Sequence, residues 1–151
     1  PCTGLRFFTV YGPMGRPDMA LFKFAEKILD NKKIHLFNKG DHIRDFTYIS
    51  DVSKSIKLLL RKIPKNNPPY ELYNIGSNNP KNLKIFLRII EKNLHKKAKV
   101  VLFPFQKGDV HKTHADNSKL VKAIQFRPKV TIEDGINKFI KWFLIKGKNN
   151  E

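Results

Sequence analysis

The sequence predicts an α/β fold from three of its features. Apolar runs of strand length alternate with stretches at helical spacing, the first run is almost unbroken in hydrophobic and aromatic residues, and Gly, Pro and Asn gather at the junctions. Strands separated by helices return parallel to one another, and helices on both faces of such a sheet remove the need for polar alternation. With 151 residues, 40% of them hydrophobic, the chain is long enough to bury one core, and one compact domain is expected.

Gly4 to Gly12 (GLRFFTVYG) is the near-continuous run and reads as a strand buried on both faces. Pro13 and Gly15 break it, Asp18 stands where a helix N-cap belongs, and Met19, Phe22, Ala25, Ile28 and Leu29 recur at helical spacing to about Asp30. Lys33 to Phe37 (KIHLF) is a short strand followed by the turn residues Asn38, Gly40 and Asp41. RDFTYIS is extended; Asp51 then opens a helix with Val52, Ile56, Leu59, Leu60 and Ile63 in one apolar stripe. After the loop KNNPP, YELYNIGS is a strand ending in Gly76-Ser77. Pro80-Lys81-Asn82 leads into a helix whose apolar face is Leu83, Phe86, Leu87, Ile90 and Leu94. Ala98 to Pro104 (AKVVLFP) gives a further strand, and Ser118 to Ile124 a short helix. A last helix runs from about Ile132 through Ile145, its core side being Ile132, Ile136, Phe139, Ile140 and Phe143. Residues 1–146 form the folded part and 147–151 a flexible tail.

The formal net charge is +17, which on its face points to nucleic acid or an anionic surface. Lysines far outnumber arginines, however, and are spread through every segment, without the interleaved aromatics and arginines of a single-strand binder. The basic coat therefore reads as solvated surface, and no specific nucleic-acid partner is expected; a basic anion- or nucleic-acid-binding module is the rival reading. No apolar run approaches the roughly 20 residues that span a bilayer, so no membrane partner is expected. The lone Cys2 has no intramolecular partner, which fits a reducing, cytoplasmic setting.

The chain carries no complete catalytic set. A G-x-G-x-x-G loop is missing, since Gly12 and Gly15 supply only its last spacing. None of Tyr11, Tyr48, Tyr70 and Tyr73 has a lysine four residues later. His111 and His114, three apart without a carboxylate or cysteine companion, make no metal site. Three positions remain as candidates for ligand contact. Arg44 lies between a turn and a strand, where its planar fork suits phosphate or carboxylate, or alternatively pairs with Asp45 or Asp51. Arg16 follows a strand end, the place where α/β sheets bind ligands, although taken alone such an arginine is more often a surface residue. Asp109, in a Gly-Asp turn, could accept from the hydroxyls of a sugar diol or be a turn residue and nothing more.

TGLRFFTVYGPMGRPDMALFKF, GDHIRDFTYISDV, YELYNIGSNNPKNL, QKGDVHKTHAD and TIEDGINKFIKWF, in that order, resemble the C-terminal half of the extended short-chain dehydrogenase/reductases, the NAD-dependent nucleotide-sugar epimerases and dehydratases. The UDP-glucuronate 4-epimerase branch is the most similar. The resemblance covers almost the whole chain and implies the last parallel strands of a Rossmann-type sheet plus a small mixed α/β substrate-binding part. It also implies that the N-terminal Rossmann half, with the NAD phosphate loop and the catalytic Tyr-x-x-x-Lys, is absent from this sequence. The implied reaction is transient oxidation at C4 of a UDP-sugar by NAD, turning of the 4-keto sugar, and reduction on the other face. Alone, the chain would be inactive; a homodimer is implied for the full-length enzyme, and a related UDP-sugar decarboxylase or dehydratase is the nearest alternative.

The resemblance also implies roles for individual residues. Phe7 and Phe8 would lie beside the nicotinamide and the sugar, Thr9 would contact the sugar or its phosphate, and Arg16 would face the uronate carboxylate. Leu36 and Phe37 would pass by the uracil, Arg44 would hold the diphosphate, and Asp109 the ribose hydroxyls. Gln106 stands where the family often has a second phosphate-gripping arginine and the glucuronate branch commonly has glutamine; Met14 stands where that branch usually has tryptophan. No residue of this chain is implied to be catalytic. A strand normally inside a larger sheet would leave the opening run with an exposed edge and apolar face.

Overall fold

Phe8 divides the opening apolar run into two strands that serve different partners. The computed structural model describes residues 1–147. In it, β1 (Cys2–Phe7) pairs in parallel with β6 (Tyr70–Ile75), in register from Cys2↔Tyr70 to Phe7↔Ile75. β2 (Thr9–Tyr11) pairs in parallel with β5 (Phe46–Tyr48) instead. The switch is made by adjacent amides: Phe8 N–H donates to Ile75 O at 3.1 Å and Thr9 N–H to Asp45 O at 3.1 Å. Two further pairs complete the strands, β3 (Lys33–Leu36) parallel to β8 (Lys99–Leu102), and β4 (Ile43–Arg44) antiparallel to β7 (Lys81–Asn82).

The expected burial of the first strand on both faces is not found. Thr3, Gly4 and Leu5 are only partly covered, and Cys2, Arg6 and Phe7 are exposed. The reason is that β1 has one strand neighbour among the described residues, β6, and its other edge is open.

Helices α1 (Ala20–Leu29), α3 (Leu83–Leu94) and α5 (Ile132–Gly147) pack with β2, β3 and β5 around the larger core. On α3 and α5 the buried faces follow the helical periodicity, with Phe86, Leu87 and Ile90, then Ile132, Ile136, Phe139 and Ile140. On α1 the buried face is Leu21, Phe24, Ala25 and Ile28 instead of the expected Met19, Phe22, Ala25, Ile28 and Leu29, because Met19 lies before the helix and stays 38% exposed while Phe22 and Leu29 sit at the edges of the contact. Phe86 and Phe46 stack at its centre with ring centroids 4.1 Å apart. A smaller core lies between α2 (Ile49–Leu59), α4 (Ser118–Ile124) and β6, from Val52, Leu59, Tyr73, Ile75, Leu120 and Ile124. Burial also raises the pKa of the Tyr11 phenol far above its usual range, so it stays protonated and donates to Thr131 O at 3.3 Å.

Several boundaries differ from the expectation. Asp18 does not cap α1: the N-cap is Met19, without a side-chain cap bond, because the Asp18 carboxylate is taken by Arg16. α2 starts at Ile49 rather than Asp51 and stops at Leu59, so Leu60 and Ile63 fall beyond the stripe and are 78% and 67% exposed. They border a shallow apolar groove with Leu5 of β1. Asn82 does cap α3, accepting from Lys84 N–H at 2.8 Å. α5 extends through Gly147, into the segment expected to be tail; residues 148–151 of that segment lie outside the described part.

Candidate functional site

Between β8 and α4 the chain runs as a strap, residues 103–115, laid along β4. Its start is tied to the turn after β3, where Lys39 N–H donates to Phe103 O at 2.8 Å and Asn38 N–H to Pro104 O at 3.1 Å. Farther on, Ile43 N–H donates to His111 O and Thr113 N–H to Ile43 O, each at 3.0 Å. Between these anchors Asp109 N–H closes a turn on Gln106 O at 3.1 Å, and Gly108 takes a φ of +87°, which a residue without a Cβ adopts at little cost.

Arg44 fastens this turn from beneath. Its Nη1 donates to Ile43 O at 3.0 Å and His111 O at 3.2 Å, and its Nη2 to Asp109 Oδ1 at 3.0 Å. Val110 N–H reaches the same oxygen at 2.7 Å. The other oxygen, Oδ2, lies 3.2 Å from Nε2 of the buried His42, whose ring sits 5.8 Å from that of Phe105. Two residues singled out separately in the sequence, Arg44 and Asp109, therefore form one cluster, with Gln106 in the same turn. The alternative partners for Arg44, Asp45 and Asp51, are not used.

Both of those aspartates are buried cross-links. Asp45 Oδ1 accepts from Ser77 N–H at 2.8 Å and Ser77 Oγ at 2.7 Å, and its Oδ2 accepts from Ala115 N–H at 3.0 Å. The carboxylate thus joins β5, the end of β6 and the strap. Gly76 permits the approach, since a Cβ there would overlap that of Ala115. Asp51 Oδ2 accepts from Lys129 and Val130 N–H at 2.8 Å each, fixing the loop before α5.

The other predicted residues divide by position. Leu36 is buried in the larger core, 2% exposed, so only its backbone reaches the strap, accepting from Phe103 N–H at 2.9 Å. Phe37 is at the surface, its ring 5.5 Å from Phe103, which in turn is 4.9 Å from His35. Thr9 and Arg16 come together across the β2–α1 corner on a recess of about 50 Å³, with Phe22, Phe46 and Phe86 behind it. Arg16 is not free there: its Nε and Nη2 hold Asp18 at 3.0 and 2.5 Å, and hydrogen bonding to Arg16 keeps the Asp18 carboxyl below its usual range. Phe7 and Phe8 lie at the β1–β2 junction, Phe7 exposed and Phe8 partly covered. The corner and the strap flank one strand, since Thr9 binds the carbonyl of Asp45 and Arg44 precedes it.

His111 and His114 diverge, the first 3.7 Å from Asp41 and the second 2.6 Å from Asn78. Among the described residues no group of three metal-ligating side chains forms, and no helix is long and apolar enough to cross a membrane. The cluster holds a guanidinium, an imidazole, a carboxylate and exposed aromatics, groups that grip anions, diols and flat rings.

A family model described as the NAD dependent epimerase/dehydratase family matches residues 1–76. The chain belongs to that family. Relatives in the NAD dependent epimerase/dehydratase family extend the match across the strap and α5. An uncharacterised protein of Methanocaldococcus jannaschii is 54% identical over 93% of this chain and 42% of its own length. A UDP-glucuronate 4-epimerase of Thermodesulfobacterium geofontis is 39% identical over 91% of this chain and 42% of its own. Among solved structures, the UDP-glucuronic acid 4-epimerase of Bacillus cereus in complex with UDP-glucuronic acid and NAD superposes with a TM-score of 0.85. It is 32% identical, covering 94% of this chain and 45% of that one. The chain thus spans less than half the length of these relatives, and its parallel strands and helices match part of an extended Rossmann-type fold.

Proposed function

We propose that residues 1–146 are the substrate-binding part of an NAD-dependent nucleotide-sugar 4-epimerase that interconverts UDP-glucuronate and UDP-galacturonate. The observation that supports it best is the union of Arg44 and Asp109 in one surface cluster. A guanidinium for the diphosphate beside a carboxylate for the ribose is what a nucleoside diphosphate requires. Phe37 at the neighbouring surface offers the uracil a flat apolar wall, and Gln106 offers a neutral amide at the phosphate side. Thr9 and Arg16 at the recess then meet the sugar. For Arg16 to hold the uronate, Asp18 must yield its fork, an exchange of one exposed carboxylate for another.

NAD supplies the redox chemistry at C4 when bound. This chain's residues fit only its edge. Phe7 and Phe8 can flank a nicotinamide, but the sequence has neither a glycine-rich phosphate loop nor a Tyr-x-x-x-Lys pair. Turnover therefore needs a partner Rossmann half, and the chain by itself is expected to be inactive. The exposed Phe7 and the open edge of β1 are where that half would add its strand.

Titrating UDP into the 151-residue chain and its Arg44→Ala variant tests the grip. The variant is expected to bind weaker by about 1.5–3 kcal/mol, the value of a charge-assisted hydrogen bond; equal affinity removes Arg44 from the site. Grafting residues 1–146 onto the N-terminal half of a UDP-glucuronate 4-epimerase tests the reaction. Interconversion of the two uronates is expected, and a folded graft that binds UDP-glucuronate without epimerising it contradicts the assignment.

A further inference from the structure

His42 is the polar side chain of the cluster that no role above employs. Its side chain is 5% exposed, and Nε2 has no hydrogen bond of good geometry although Asp109 Oδ2 is only 3.2 Å away. A buried nitrogen without a partner is costly, and the ring cannot move far. Its backbone is fixed by the bond from Leu83 N–H to His42 O at 2.8 Å, and the tilted ring of Phe105 lies beside it, 5.8 Å between centroids. Nε2 must be the protonated nitrogen, because a lone pair there would face a carboxylate oxygen.

The two oxygens of Asp109 are unequally occupied. Oδ1 already accepts from Arg44 Nη2 and Val110 N–H, which fills its two lone pairs. Among the described residues His42 is the one polar contact of Oδ2, which keeps an open lone pair on a side chain that is 35% exposed. Oδ2 is therefore the oxygen that can receive a ligand hydroxyl, and the buried imidazole is what aims it. When a diphosphate draws the Arg44 guanidinium, Oδ1 loses a donor and His42 becomes the main restraint on the carboxylate.

We infer that His42 is a positioning residue that orients Asp109 for recognition of a vicinal diol, and so makes the site prefer ribonucleotides over their 2′-deoxy counterparts. The inference rests on the proposed reading of Asp109 as the ribose-binding carboxylate. The charged and titratable groups around His42 are Asp109 and His111 on the strap, Asp41 beside it in sequence, Arg44 on β4, Lys81 opposite Arg44 on β7, and Lys84 on α3 against Gly40. Of these, only Asp109 is within reach of Nε2.

The test compares UDP, 2′-deoxy-UDP and inorganic pyrophosphate on the wild-type chain, His42→Leu and His42→Gln. Wild type should favour UDP over its deoxy analogue by about tenfold, the effect of losing one hydrogen bond to a partly exposed charged acceptor. His42→Leu should erase that preference while leaving pyrophosphate affinity unchanged. His42→Gln, which keeps a donor near Oδ2, should retain it. A preference that survives in His42→Leu overturns the inference. A wild-type chain that binds UDP but does not distinguish the two sugars removes the role of Asp109 instead. Amide hydrogen exchange without nucleotide reads the holding role separately: residues 106–111 should exchange several-fold faster in His42→Leu and normally in His42→Gln. Equal exchange in all three proteins overturns the inference even if no nucleotide binds.

Discussion

Asp45→Ala is expected to destabilise the fold by at least about 3 kcal/mol, because hydrogen bonds to a buried charged acceptor are each worth about 1.5–3 kcal/mol and their donors would be stranded. The carboxylate is wholly buried and serves Ser77 twice and Ala115 once. Asp45→Asn should fall between wild type and alanine, since its amide oxygen can still serve Ser77 while its NH₂ faces the Ala115 N–H. Urea unfolding followed by circular dichroism gives the comparison, with the midpoint falling and the slope unchanged. A loss below about 1 kcal/mol would show that Asp45 is dispensable as a cross-link. Arg44 and Asp109 stand on two of the three segments it joins, so loss of UDP binding should accompany the loss of stability.

Phe86→Ala is the second large effect, about 3–5 kcal/mol, the usual cost of removing a fully buried aromatic ring. Phe86 stacks on Phe46 at an interplanar angle of 7° and meets the edge of Tyr11 at 5.9 Å. These three rings back the recess at the β2–α1 corner. The cavity left by alanine would open behind Thr9 and Arg16, and Phe86→Leu, which keeps most of the volume, should cost distinctly less. Equal midpoints for wild type and Phe86→Ala would mean that α3 is not seated on β5.

Much of the fold is legible in the sequence because periodicity is a local property. The helical spacing of Leu83, Phe86, Leu87, Ile90 and Leu94, and of Ile132, Ile136, Phe139 and Ile140, selects one face of each helix, and that face is the buried one. Asn82 announces its helix because an amide cap needs only residues two positions away. Where pattern misled, a distant partner decided. Asp18 has cap chemistry but is captured by Arg16, and Leu60 and Ile63 continue a stripe that its helix does not reach. Phe8 lies in an unbroken apolar run, yet the strand switches partners there.

The candidate site was legible as a set of residue types in an order, not as an arrangement. Residue order alone establishes the alternation of strands and helices, the core faces of α3 and α5, the family, and the candidacy of Arg44 and Asp109. Each depends on nearby residues or on the succession of motifs. It took the three-dimensional arrangement to establish that Arg44 binds Asp109 rather than Asp45, that Arg16 is occupied by Asp18, and that Nε2 of the buried His42 lies 3.2 Å from the less occupied oxygen of Asp109. Arg44 and Asp109 are 65 positions apart, and which of several charges meet across such a separation is set by how the strap is laid along β4. Backbone pairing and the buried Asp45 anchor impose that geometry, and no local pattern records it.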